Sequence, residues 1–333
     1  MAAPAMTPPP SARPFLERVG WGGAAVRPLA GDASFRRYFR VIEGVRSAVL
    51  MDAPPPHEDV RPFLAIAVHL DALGLAVPRA LAADEDAGLV LLDDLGDDRL
   101  TTLLARRPAL EQPLYEVAVD ILAALARHAP PAGLRAYDEA EYLREARLFT
   151  EWYCPAVGLN VDNAAFDDAW RTVLKPVLAQ PLSVLVLRDY HADNLMHLPQ
   201  RGKLQQLGLL DFQDALAGHP AYDLVSLLED ARRDVPDWLQ RRMLARYVDA
   251  VDIDPQPFEA AYAILGAQRN TKILGIFTRL WQRDGKPNYL AFQPRVWAHL
   301  ERDLKHPALH PVRAWFRANV PAHARAGRWA AAA

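Results

Sequence analysis

The residues able to do chemistry concentrate between Val184 and Asp214. Two short apolar runs, Val184-Leu185-Val186-Leu187 and Leu207-Gly208-Leu209-Leu210, each lead into a polar segment. The first continues as Arg188-Asp189-Tyr190-His191-Ala192-Asp193-Asn194, the second as Asp211-Phe212-Gln213-Asp214. An Asp that accepts a hydroxyl proton, with an Asn and a second Asp that hold magnesium on phosphates, is what phosphoryl transfer asks of a protein. Asp189 with Asn194 five residues later is a weak signal by itself. Joined to a strand-terminal Asp211-Phe212 at this separation, it is specific. The bland alternative is a set of carboxylates that cap turns. Pro199-Gln200-Arg201-Gly202-Lys203 lies between the two runs, so the pattern predicts a β-hairpin that joins them.

The elements that must position these residues come before and after. Val26 to Val41 reads as strand, loop, strand, and Ala48-Val49-Leu50-Met51-Asp52 closes a second pair through Glu43-Gly44. Small and polar residues from Gly31 to Ser34 would let backbone N–H groups approach a phosphate, or simply close a hairpin. After Pro54-Pro55-Pro56, His57 to Leu73 predicts a helix with Phe63, Ile66, Ala67 and Leu70 on one face, closed by Gly74. Ala87 to Leu92 is a buried strand that runs into the acidic exit Asp93-Asp94-Leu95-Gly96. From Thr101 the pattern is helical apart from the central hairpin, with Leu114 to Arg127 and Glu139 to Tyr153 at three- and four-residue apolar spacing. Asp223 heads a helix begun at Pro220, where it either caps that helix or braces the Asp189 loop. In Gln268 to Pro287, Ile273, Leu274, Phe277, Leu280 and Trp281 share one side of a helical wheel, and Arg269, Lys272, Arg279 and Arg283 the other. That basic stripe reads as a solvated face or as the wall of a pocket for an anion.

At 333 residues the chain is long enough for about two compact units. With 51% hydrophobic and 24% charged residues it has ordinary globular composition, and a net charge of -3 gives no pull toward nucleic acid or membrane. The single Cys154 allows no internal disulfide and lacks the spacing of a zinc site, so a bland helical cysteine is expected. Met1 to Pro14, rich in Pro and Ala, reads as a disordered tail without a signal-peptide core. No apolar run approaches the roughly 18 residues of a membrane span, so a cytoplasmic protein is expected.

The Arg188-Asp189-Tyr190…Asn194, Asp211-Phe212-Gln213-Asp214 and Tyr222-Asp223 series resembles the aminoglycoside phosphotransferase and choline kinase superfamily. Gly31 to Tyr38, Met51-Asp52-Ala53-Pro54-Pro55, Asp94-Leu95-Gly96, Gln268 to Phe277 and Arg283-Asp284-Gly285-Lys286 are most similar to its anomeric sugar kinase branch. That branch acts on N-acetylmuramate and N-acetylglucosamine in peptidoglycan recycling. The matches run from about residue 26 to 300. The resemblance implies an α+β, two-lobed protein-kinase-like fold, with a small β-rich N-lobe and a large, mostly helical C-lobe. The expected boundaries are a tail over 1–14, an N-lobe over 15–95 and a C-lobe over 96–333.

By the same resemblance ATP and magnesium are the cofactors and an amino sugar is the acceptor. Asp189 is the catalytic base, and Asn194 and Asp211 are the metal ligands. Gly31, Asp32, Ser34, Phe35, Arg36, Arg37, Asp93 and Leu95 contact the nucleotide; His191, Asp214, Arg269, Lys272 and Arg283 face the substrate. A monomer with no nucleic-acid or membrane partner is expected. Two positions depart from the family. Leu187 stands where the usual His precedes the catalytic Asp, and Met51 where a strand lysine would bind phosphates, with no acidic partner near Phe63. Arg36, Arg37 and Arg40 are the candidates to replace that lysine. Two rival readings remain: an antibiotic kinase of the same fold, whose polycationic acceptor calls for an acidic pocket, and a nucleotide-binding pseudokinase with a regulatory role.

Overall fold

The computed structural model describes residues 6–29, 35–180 and 183–325; Gly31, Asp32 and Ser34 lie outside the described residues. In chain order the first elements are α1 (Ala12–Arg18), β1 (Ala25–Pro28), β2 (Arg37–Glu43), β3 (Arg46–Asp52), α2 (Arg61–Ala72), β4 (Ala80–Asp84), β5 (Leu89–Asp93) and α3 (Leu100–Arg106). Then come α4 (Glu111–Leu125), α5 (Glu139–Leu148), a π-helical turn over Phe149–Tyr153, α6 (Cys154–Ala156), α7 (Asn163–Leu178), β6 (Val184–Val186), β7 (Leu195–His197), β8 (Leu207–Leu209) and β9 (Leu216–Gly218). The chain closes with α8 (Ala221–Leu228), α9 (Asp237–Val251), α10 (Pro255–Gln282), α11 (Gln293–Asp303) and α12 (His310–Asn319). Two compact units result, Met1–Pro108 with Asp193–Asp214, and Ala109–Ala192 with Ala215–Ala333.

The first unit is built on an antiparallel sheet of order β1-β2-β3-β5-β4. Alternate residues of its central strands, Phe39 and Val41, Ala48 and Leu50, Leu89 and Leu91, are buried on one face with Phe15, Leu16 and Trp21. Residues 12–14, within the stretch expected to be tail, belong to α1. Pro14 is tolerated there because the first turn of a helix has no partner for its N–H in any case. The predicted helix from His57 begins at Arg61, with Pro62 in its first turn.

The expected hairpin needs a correction. β6 pairs with β9, and the partner of β8 is β7, with Leu195 opposite Leu209 and His197 opposite Leu207. The turn at residues 199–203 was read in the right place, but it closes β7 onto β8. Strands of three residues carry too little pattern to choose their partners, and the chain between Asp189 and Leu195 had room to turn and start a new one.

The second unit is mostly helical and is centred on the 28-residue α10. Asp254 caps α10 by accepting from the Gln256 N–H at 3.0 Å, and Pro255 fits its first position. Nearly every residue from 261 to 280 is buried, because α5, α8, α11 and the π-helical turn surround the helix. At Gly275 the helix meets the end of α5 backbone to backbone: a Cβ there would lie 2.2 Å from the Leu148 carbonyl carbon. Cys154 is buried, and burial pushes its thiol up to about 12.

His219 joins β9 to α8. Ala221 N–H donates to its Nδ1 at 3.2 Å, so the ring proton sits on Nε2, 3.0 Å from Gln180 Oε1. Burial pushes this imidazole down to about 4, against about 6.5 in an unfolded chain. Because the folded value is the lower one, the contribution of His219 is complete above about pH 6.5 and is lost as the pH falls toward 4. The loss reaches about 3 kcal/mol. Urea unfolding between pH 7 and 4 should give a steeper decline for the parent protein than for His219→Asn, which keeps an acceptor for the Ala221 N–H. Equal slopes would assign the acid sensitivity elsewhere.

Candidate functional site

In the first unit, β7 and β8 bring Asn194 and Asp211 together. Leu210 N–H donates to the Asn194 carbonyl at 2.9 Å, and Asn194 Nδ2 lies 3.4 Å from Asp211 Oδ2. Asp211 adopts φ +60°, a left-handed conformation rare outside glycine and concentrated at functional sites. Its Oδ1 accepts from Gln213 Nε2 at 2.8 Å and lies 3.4 Å from Arg36 Nη2. The Arg36 side chain is buried, with Nε 3.6 Å from Glu58 Oε2. Hard oxygens from one Asp and one Asn side by side fit magnesium, which keeps several waters and takes only one or two protein ligands.

The three candidate arginines therefore separate. Arg36 stands beside the Asp211 carboxylate. Arg37 is engaged with Asp52, at 2.7 Å through Nε, and Arg40 with Asp94 at 2.9 Å and Asp97 at 2.8 Å. Met51 is buried and apolar. Glu58 is the acidic partner of Arg36, and it precedes α2 instead of lying on that helix near Phe63. Of the other expected nucleotide contacts, Asp93 is paired with Arg79 at 2.7 Å. Leu95 lines a cavity of about 220 Å³ with Gly96, Asp97, Asp98 and His197. Phe35 is 63% exposed and stacks on His57 at 4.8 Å. Asp214, expected on the substrate side, is exposed in this same unit.

In the second unit, Arg188 adopts φ +70° and turns the chain out of β6 into Asp189. Asp223, at the head of α8, braces this turn: its carboxylate accepts from Leu187 N–H at 2.6 Å and Arg188 N–H at 2.8 Å. Burial pushes the Asp223 carboxyl up to about 7, and the two N–H groups pull against that rise. Tyr190 anchors the next residue with its hydroxyl on the Ala118 carbonyl at 2.8 Å.

A buried carboxylate organises the cations behind the turn. Glu145, 1% exposed, accepts from Arg188, from Tyr137 and, at 2.8 Å, from Lys272 Nζ. Lys272 also reaches the Tyr222 hydroxyl at 3.2 Å. Burial would raise the Glu145 carboxyl, but the charges of Lys272 and Arg188 outweigh it and hold the group below its ordinary value. Asp189 behaves alike: burial raises it, Lys272, Arg269 and Arg188 lower it more, and it stays ionised. Glu145 was missed in the sequence. The available signal was its place on the apolar face of α5, between Tyr142 and Phe149, where a charge must find a partner.

The predicted basic stripe does not survive as one surface. Arg269 and Lys272 are 3% and 8% exposed, so neither lies on a solvated face. Lys272 is committed to Glu145 and Tyr222. Arg283 is exposed and paired with the adjacent Asp284 at 2.7 Å, so it is not brought to Asp189. A helix wheel separates faces only when one of them meets water, and α10 is enclosed on both. His191 is buried beside Asp189, with Arg232 Nη1 3.1 Å from its Nε2.

Comparison with known proteins agrees with this layout. A choline kinase, LicA, from Streptococcus pneumoniae has the same fold at a TM-score of 0.62 and 13% identity, over 90% of this chain and 99% of that one. The small β-sheet unit and the mostly helical unit are thus those of a protein-kinase-like fold. An N-acetylmuramate/N-acetylglucosamine kinase of Caulobacter vibrioides is 38% identical over 93% of this chain and 96% of its own length. One of Pseudomonas aeruginosa is 40% identical over 85% of each chain. The profile of the phosphotransferase enzyme family matches residues 25–262. A match over that much of the sequence makes this chain a member of the phosphotransferase enzyme family.

Proposed function

We propose that the protein transfers the γ-phosphoryl group of ATP to the anomeric hydroxyl of N-acetylmuramate and N-acetylglucosamine, giving the sugar α-1-phosphate and ADP. The observation that carries this reading is the 38% identity, along almost the full length of both chains, with a relative named for that pair of sugars. The chemistry of the residues supports it. Asp189, ionised and held by the braced turn, orients the acceptor hydroxyl and takes its proton late, as the new O–P bond forms and the bond to ADP breaks. Asn194 and Asp211 would hold magnesium, which when bound neutralises phosphate oxygens. Arg36, kept in place by Glu58, supplies the cation that Met51 cannot. The cationic surroundings of Asp189 speak against a polycationic antibiotic as acceptor.

Among the described residues no helix is long and apolar enough to cross a membrane. We infer cytoplasmic work as a monomer, since ATP is supplied there and every proposed residue belongs to one chain. The test is ADP release with purified protein and a panel of sugars and aminoglycosides. Turnover is expected with the two N-acetylated sugars and is lost in excess chelator. Turnover only with aminoglycosides, or with nothing, would overturn the reading.

A further inference from the structure

Two enclosed hydrogen-bond donors beside Asp189 have no acceptor. The first is Arg269: its Nη1 is buried without a partner, whereas the donor groups of the α10 residues around it, Gln268, Asn270 and Lys272, each have an acceptor. Gln268 donates to the Tyr142 carbonyl at 3.0 Å, Asn270 to Glu229 at 2.7 Å and Asp303 at 3.0 Å, and Lys272 to Glu145 at 2.8 Å. The second is His191. A guanidinium can only donate, so the Arg232 contact makes Nε2 an acceptor and leaves the imidazole proton on Nδ1. That Nδ1 is also buried without a partner. Burial, with Arg232 adding to it, pushes His191 down to about 3, so the ring is neutral with its tautomer fixed.

A buried donor left without an acceptor is expensive, so a ligand that supplies the acceptor gains affinity there. The charge of Arg269 acts on Asp189, His191, Tyr222 and Asp223, so its side chain lies near the cluster around the proposed base. We infer that Arg269 and the Nδ1–H of His191 together receive an oxyanion of the reacting complex. This rests on the kinase reading above and extends it by naming the group that is bound. A fixed cation with a neutral donor beside it suits a carboxylate or a phosphoryl oxygen alike. The reaction offers one of each: the lactyl carboxylate of N-acetylmuramate, which N-acetylglucosamine lacks, and the phosphoryl group in transfer. Lys272, the other cation of the stripe, is excluded because Glu145 already neutralises it.

The experiment compares Arg269→Gln, Arg269→Lys, His191→Leu and His191→Asn, the last retaining an N–H near the Nδ1 position. Arg269→Gln should lower kcat/KM for N-acetylmuramate by roughly tenfold to a hundredfold, with Arg269→Lys recovering part of it. His191→Leu should lose about tenfold and His191→Asn much less. A loss confined to N-acetylmuramate assigns the carboxylate. An equal loss for both sugars, with loss of the rise in Tm that inorganic phosphate gives the parent protein, assigns the phosphoryl group. Unchanged kcat/KM for both sugars in folded Arg269→Gln would overturn the inference. So would a loss matched by Arg269→Lys and by a fall in Tm, with the phosphate-induced rise intact, since that marks a structural role. If the parent protein phosphorylates neither sugar, the kinase reading fails by itself. The inference is then decided by whether the rise in Tm with phosphate or N-acetylmuramate depends on Arg269.

Discussion

Asp189→Asn lowers turnover by about two orders of magnitude or more and leaves nucleotide binding close to that of the parent protein. The Asn keeps the shape and can still meet the sugar hydroxyl, but it cannot take the proton. The expected size follows from the state of the carboxylate. Lys272, Arg269 and Arg188 hold Asp189 below its ordinary value, so it is ionised throughout the neutral range and available as an acceptor. A depressed group also makes a weak base, which suits a transition state in which the proton leaves late. The acid limb of kcat due to this residue should accordingly lie below about pH 4. Arg36, proposed for phosphate, and Asn194 and Asp211, proposed for magnesium, lie in the compact unit that does not contain Asp189. Single-turnover kinetics and a fluorescent nucleotide titration check both halves of the prediction. Near-normal turnover would remove Asp189 from the role of base.

Glu145→Ala should cost about 3–5 kcal/mol of folding stability, because it leaves the buried Lys272 and Arg188 without the carboxylate they are bonded to. Breaking one partner of such a pair is far more damaging than replacing both with apolar groups of similar size. The double replacement Glu145→Leu with Lys272→Met should therefore be less destabilised than Glu145→Ala alone, although Arg188 remains. Tyr137 loses the acceptor for its hydroxyl in either case. Urea unfolding monitored by circular dichroism measures the differences. A loss under about 1 kcal/mol for Glu145→Ala would mean that the cluster behaves as a solvated surface pair. Catalysis should suffer with stability, since Arg188 precedes Asp189 and Lys272 sets its charge state.

How much of this was legible in the sequence depended on whether the deciding partner was local. β1, β2, β3 and β5 were readable as apolar runs, β4 was not read, and α4 and α5 were readable from helical spacing. Asp189, Asn194 and Asp211 were picked out as candidates because phosphoryl transfer dictates their types and separations, and their roles rest on the proposal above. Asp223 had two candidate roles, and only the geometry identified it as the brace of the Arg188 turn. The pairing of β7 with β8 was hidden, since a segment of three residues fits several partners. Arg36 could not be separated from Arg37 and Arg40, because the choice rests on Glu58, Asp52, Asp94 and Asp97, which lie at different separations along the chain. The stripe on α10 misled because its readout assumes water on one side. Burial of Arg269 and Lys272 is a property of what surrounds the helix, which periodicity does not encode.

The bare backbone contact at Gly275 bears on how this enzyme can change over time. Since a Cβ there would come within 2.3 Å of the Leu148 oxygen, α10 already stands as close to α5 as two chains can. No side chain lies between them to be trimmed, so α10 cannot slide toward α5 to reshape what Arg269 faces. Diversification of the acceptor range must then proceed by exchanging individual residues along α10 while its axis stays where it is. A library that varies positions around Arg269 and leaves Gly275 untouched is the route open to an engineer, and the one open to natural drift.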